Sequence, residues 1–282
     1  TGRSLWRTAL VADLDLDTRV TGELGRYRAN VSRDWEIWGP NGGYMAGLAL
    51  RAASRESPLS RPASFYCQYL NVAEFAEVSL TVTKLRESKR SCALRVSMTQ
   101  GERPILEALT WLTDEAHAGL EHDETTAPDV SGPDGLPSFE ELKPPGYPWY
   151  SFWQNLETRL TSGRLLDAPG SAKWSGWVRY RPRATFDDPI VDAIRSLILL
   201  DTMFWPAAAA AHARPPAFLA PSLDVAVQFH RAVPESEWLL CDTRSPIAAH
   251  GLIGGTAHVW SADRRLVATG TSQLLCRPNA QR

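Results

Sequence analysis

Several common chemistries are excluded by what the chain lacks. Its four cysteines, Cys67, Cys92, Cys241 and Cys276, form no C-x-x-C pair. Widely spaced in strand-like runs, they read as reduced structural thiols rather than disulfides or zinc ligands. Neither His250 nor His258 has the companions of a metal site, so no metal or other cofactor is expected. There is no G-x-S-x-G elbow and no cysteine in an activated context, so no side-chain nucleophile is recognisable. No window approaches the roughly 18 uninterrupted apolar residues of a membrane helix. No basic stretch leading into an apolar one opens the sequence, so a cytoplasmic location is expected. With a net charge of −2 the chain has no overall attraction for nucleic acid or anionic membrane, and an anionic ligand must be met by local groups.

What is present is enough apolar material for a substantial core. The 282 residues, 44% of them hydrophobic, suit two domains of roughly 140 residues. Eleven tryptophans are read as core or interface bodies rather than catalytic groups. From Pro62 to Thr113, alternating runs such as "VSLTVTKL" and "CALRVSMT" predict four antiparallel strands. From Pro221 to Leu275 the same order of events returns, with the hairpins "QGERP" and "SADRR" in matching places at an offset of about 160 residues. This is the pattern of an internal duplication.

A helix precedes each strand block. In "WEIWGPNGGYMAGLALRAA", Met45, Leu48, Ala49 and Ala52 recur at the spacing of a buried helical face, with Pro58 past the end. In "DDPIVDAIRSLILLDTMFWPAA", Asp187 or Asp188 is a candidate cap, Pro189 an early helical residue and Pro206 the stop. Each half is therefore read as strand, helix and four strands. Residues 114 to 170 are acidic and proline-rich, a linker by composition. Its part "PWYSFWQNLETRL" is too aromatic for free coil and is expected to dock on a domain surface, by packing alone or as a lid over a ligand.

These features together resemble the acyl-CoA thioesterase II family, TesB-like proteins of the double hotdog superfamily. The resemblance runs through "WGPNGGYM" in the first half and "LLDTMFWP", "SLDVAVQFHR" and "LVATGTSQ" in the second. It implies an α+β fold of two tandem units, each a curved antiparallel sheet wrapped around a central helix. The expected boundaries are 1–115, a linker at 116–170, and 171–282. It also implies hydrolysis of acyl-CoA to free acid and coenzyme A, with an acid on the second helix, a hydroxyl residue on the following strand and a glutamine on the last strand.

The matching acid is Asp201, late in an otherwise apolar helix where an unpaired carboxylate is costly to bury. A partly desolvated carboxylate suits a base that takes a proton from water. The hydroxyl position holds Ser222, a departure from the threonine usual in the family's best-known members. On the last strand, counting back from Arg277 puts the family's glutamine position at Ser272, one place before Gln273. Side chains alternate faces along a strand, so a β-bulge at Gly270 is expected to bring Gln273 to the site; without it Ser272 faces inward. Asn41, Gly42 and Gly43 are candidate substrate-binding residues, because helix N-terminal N–H groups favour an oxyanion; alternatively they form a tight turn with Asn41 as the cap.

Asp224 is a second carboxylate on the Ser222 strand, read as an edge acid, and His230 is read as structural. The turn with Lys84, Arg86, Lys89 and Arg90 is a weak candidate for coenzyme A phosphates. Three functions compete: thioester hydrolysis, non-hydrolytic acyl-thioester binding by the same fold, and a hotdog hydratase, for which no clear Asp-x-x-x-x-His pairing is found. Acyl-CoA is the expected partner. Two units in one chain pair internally, and a homo-oligomer through outer surfaces stays open.

Overall fold

The computed structural model describes residues 12–116, 118–163, 165, 168–213 and 216–279. The first half runs α1 (Leu14–Asp17), β1 (Thr21–Glu23), β2 (Arg26–Asn30), α2 (Gly42–Ser54), β3 (Arg61–Tyr69), β4 (Glu77–Glu87), β5 (Ser91–Gln100) and β6 (Arg103–Thr113). A connecting stretch carries α3 (Phe139–Leu142). The second half runs β7 (Leu156–Leu160), β8 (Lys173–Tyr180), α4 (Pro189–Thr202), α5 (Phe204–Ala209), β9 (Phe218–Leu219), β10 (Asp224–Phe229), β11 (Trp238–Ala249), β12 (Leu252–Ser261), β13 (Leu266–Leu275) and β14 (Arg277–Pro278).

Among the described residues the main sheet has the order β1-β2-β4-β5-β6-β3-β10-β13-β12-β11-β8-β7. Read outward from the β3–β10 joint, both halves follow one plan, and α2 matches α4. The duplication visible in the sequence is thus a duplication of topology, a double hotdog. Two strands, not one, precede each central helix. One of them, β7, lies inside the stretch read as linker and pairs with β8 from Leu156↔Tyr180 to Leu160↔Gly176. Its alternation is masked by Glu157, which is buried yet held by Arg159 at 2.7 Å and Arg179 at 2.6 Å. Charge compensation lets an acid occupy a position that patterning assigns to an apolar residue.

Two further parts of the connecting stretch are docked on the core. Ala127, Val130 and Leu136 pack on Trp177, Leu240, Trp260 and Leu266, and Trp177 donates its indole N–H to the Ser131 carbonyl at 2.8 Å. The aromatic part inserts Phe152 into the main core, edge-on to Trp35, which stacks on Tyr44 of α2. All four cysteines are free thiols, and no helix among the described residues is long and apolar enough to cross a membrane.

The helices α2 and α4 pack antiparallel at the centre, as the pairs Gly43–Ile198 and Gly47–Ile194 show. A Cβ at residue 43 would lie 2.6 Å from the Ile198 Cα and one at residue 47 would lie 2.8 Å from the Ile194 Cγ2, so close approach requires glycine at both. Further along α4, the fully buried Arg195 bonds the carbonyls of Ala184, Ser236 and Val233 and pairs with buried Asp192, whose other oxygen accepts the Val233 N–H at 2.8 Å. The pair ties α4 to the loop before β11, Asp192 through the Val233 N–H and Arg195 through the Val233 and Ser236 carbonyls. Removing one partner strands the other charge, so Arg195→Ala is expected to lower unfolding free energy by about 3–5 kcal/mol in a denaturant titration.

Candidate active site

Asp201 reaches the site because it lies in the last turn of α4, after the apolar run Leu197–Leu200. The antiparallel contact sets this last turn of α4 against the first turn of α2. There the Asn41 side chain accepts the Tyr44 N–H at 2.9 Å as the N-cap and donates to the Thr202 hydroxyl at 2.9 Å. Asn41 thus fastens the start of one helix to the end of the other. Gly42 leaves room for the carboxylate: a Cβ at residue 42 would sit 2.8 Å from Asp201 Oδ2. Asp201 is only 6% exposed, and burial pushes its carboxyl up to about 6. The Ser222 hydroxyl, the Tyr69 phenol and the Gly43 N–H pull in the opposite direction without overcoming desolvation.

Tyr69, at the end of β3, was not a candidate from the sequence. Its only signal there is a polar-tipped aromatic at a strand end. Its ring would meet a Cβ on Gly42 at 3.1 Å, and its hydroxyl is buried without a hydrogen-bond partner. Asp201 Oδ1 likewise has none. Asp201, Ser222, Tyr69, Asn41 and Gly42 all line one cavity of about 1130 Å³. Trp38 and Trp205, edge to face, form part of its wall. Phe139, Tyr147 and Trp153 line it as well, so the docked connecting stretch both packs and encloses the cavity.

Two family models match the chain: the acyl-CoA thioesterase N-terminal domain over residues 31–113 and the acyl-CoA thioesterase C-terminal domain over residues 125–276. The chain belongs to the acyl-CoA thioesterase family. Solved structures agree on the fold. An acyl-CoA thioesterase II TesB2 from Mycobacterium marinum is 23% identical with a TM-score of 0.78, covering 96% of this chain and 100% of that one. A hot dog fold protein of unknown function from Alicyclobacillus acidocaldarius is 21% identical with a TM-score of 0.78, covering 95% and 98%. A tesB protein from Mycobacterium avium subs paratuberculosis is 21% identical with a TM-score of 0.74, covering 95% and 99%.

In this thioesterase the expected site residues are only partly gathered. Gly43 lies beneath the cavity rather than on it; its N–H faces Asp201 and is not open to a ligand. The bulge expected at Gly270 is not there. β13 pairs without interruption from Ala268 to Leu275, and the irregularity falls one turn of the pleat earlier, between Ala268 and Leu266. Val267, the residue skipped, takes the N–H groups of His230 and Arg231 on its carbonyl, which fixes the extra residue at the strand end. The alternation therefore turns Ala268, Gly270, Ser272 and Leu274 inward and Gln273 outward, with Thr269 and Thr271. Gln273 does not line the cavity, and Ser272 spends its hydroxyl on the Asp224 carbonyl at 2.7 Å.

Asp224 accepts the Gln273 N–H at 2.9 Å, a structural bond where the ladder ends, and His230 meets the Thr269 hydroxyl at 3.1 Å. The basic turn lies away from the cavity: Lys84 pairs with Glu87, and Arg86 lines a separate pocket of about 760 Å³. The cations on the cavity wall, among the described residues, are Lys173 and Arg277.

A carboxyl whose folded pKa lies above its unfolded value contributes stability below the unfolded pKa and loses it as pH rises through the folded one. For Asp201 this window runs from about 4 to about 6, and the loss is on the order of 3 kcal/mol. Asp201→Asn is expected to match the native chain in denaturant midpoint at pH 4 and to exceed it at pH 8.

Proposed function

We propose that this chain hydrolyses acyl-CoA thioesters with Asp201 as the general base. The observation that carries the reading is a buried carboxylate, raised to about 6, with one oxygen unpartnered on the wall of a large cavity in a thioesterase fold. At neutral pH such a group is ionised yet basic enough to accept a proton. Water gives a proton to Asp201 as its oxygen bonds to the thioester carbonyl carbon, and the carbonyl electron pair moves onto oxygen. Collapse of this tetrahedral species breaks the C–S bond, the proton passes to the departing sulfur, and free acid and coenzyme A result. Ser222 fixes the carboxylate and the water, and the first-turn N–H of Gly42, at the positive end of α2, faces the oxyanion. Lys173 and Arg277 give the cavity a positive wall suited to a phosphate-bearing thiol.

A second reading, acyl-CoA binding without turnover, is favoured by one observation: Gln273 is turned outward. The two separate on thiol release from a panel of short, medium and long acyl-CoAs. Hydrolysis predicts release by the native chain and a fall of about 100-fold or more in kcat for Asp201→Asn. Binding that yields no thiol would support the second reading; an equally active mutant would remove Asp201 from the mechanism. Because the base must be unprotonated, kcat/KM is expected to rise with pH and level off above about 6.

A further inference from the structure

Two buried polar atoms of opposite character face the same spot in this cavity. Neither Asp201 Oδ1 nor the Tyr69 hydroxyl completes a hydrogen bond, although the phenol lies close enough to the carboxylate to lower its pKa. Both lie over Gly42, whose missing side chain opens the space: a Cβ there would touch Asp201 Oδ2 at 2.8 Å and the Tyr69 Cζ at 3.1 Å. Unsatisfied buried polar groups carry a penalty of about 1–3 kcal/mol each, so such a pair on a cavity wall marks a place completed by a polar ligand.

We infer that Tyr69 is a catalytic residue whose O–H donates to the thioester carbonyl oxygen while Asp201 takes the proton of the attacking water; this rests on the hydrolytic reading above. The division of labour follows from chemistry. Burial and the neighbouring carboxylate hold the Tyr69 phenol well above its ordinary range, so it is always a donor and never the base. A donor placed on the water would draw electron density from the attacking oxygen and weaken it as a nucleophile. Placed on the carbonyl it meets the oxygen where negative charge grows. Neither Ser272 nor Gln273 of β13 reaches the cavity wall, and the Gly43 N–H is directed at Asp201. Tyr69, from β3 of the other half, is the side-chain donor that faces Asp201 together with Ser222.

The test compares native protein with Tyr69→Phe, which keeps the ring that packs on the core. Removing one oxyanion donor is expected to lower kcat by about 10²–10³-fold, with KM changed far less. Because the hydroxyl completes no hydrogen bond with the protein and only lies beside the Asp201 carboxylate, the thermal midpoint is expected to stay nearly unchanged. The second readout is the infrared carbonyl stretch of a bound, uncleavable ketone analogue of acyl-CoA, with carbon in place of sulfur. A downshift in the native protein that is lost in Tyr69→Phe supports the assignment. An unchanged kcat, or a ketone band identical in both proteins, overturns it. If the native chain hydrolyses no acyl-CoA yet the band shift depends on Tyr69, hydrolysis fails and the donor assignment stands.

Discussion

The backbone contact between α2 and α4 at Gly43 is the constraint on which the site depends. A helix packed at ordinary side-chain distance would leave Asp201 in a gap open to water, with the pKa of a solvated acid. Here Gly43 meets the Ile198 backbone and Gly42 meets the carboxylate itself. The first turn of α2 is thereby pressed against the last turn of α4. The same contact excludes water, raises the carboxyl and points an N–H at it, so packing and chemistry are set by one pair of missing side chains. The overpacking that a methyl at residue 43 would introduce is of the kind that moves backbones rather than rotamers.

The duplicated plan makes two such helix junctions, and they are not alike. At the Gly42 end, Asp201 of the second half meets glycines and Tyr69 of the first half, with Ser222 from the chain before β10. At the opposite end, Arg51 of α2 bonds Asp188, the cap of α4, at 2.6 Å and Asp15 at 2.5 Å. Ion pairs close that junction, whereas at the first two buried polar atoms on cavity-lining residues complete no hydrogen bond. Each half alone holds only part of the site.

The fold was legible because its signals are local. Met45, Leu48, Ala49 and Ala52 read as a buried face and are buried; of the two candidate caps Asp187 and Asp188 it is Asp188 that accepts a helix N–H, and Asn41, read as substrate-binding or as a cap, does so too. Asp201 was legible for the same reason, as an acid among apolar neighbours. What failed depended on long-range geometry. The register of Gln273 turns on where β13 absorbs one extra residue, and that is decided by His230 and Arg231 at the end of another strand. β7 was hidden because its buried acid is neutralised by arginines on its own strand and the next. Tyr69 carries no local mark beyond a polar-tipped aromatic at a strand end; only the placement of β3 beside α2 and α4 gives its hydroxyl a role.

The claim at the centre is that Asp201 is a desolvated base created by the junction of the two helices. The most direct measurement is a titration of the Asp201 carboxyl by carbon-13 nuclear magnetic resonance on labelled protein, with Asp201→Asn assigning the signal. The account predicts a midpoint of about 6. A midpoint near the ordinary carboxylate value of about 4 would mean that the carboxyl is solvated and that the junction does not tune it.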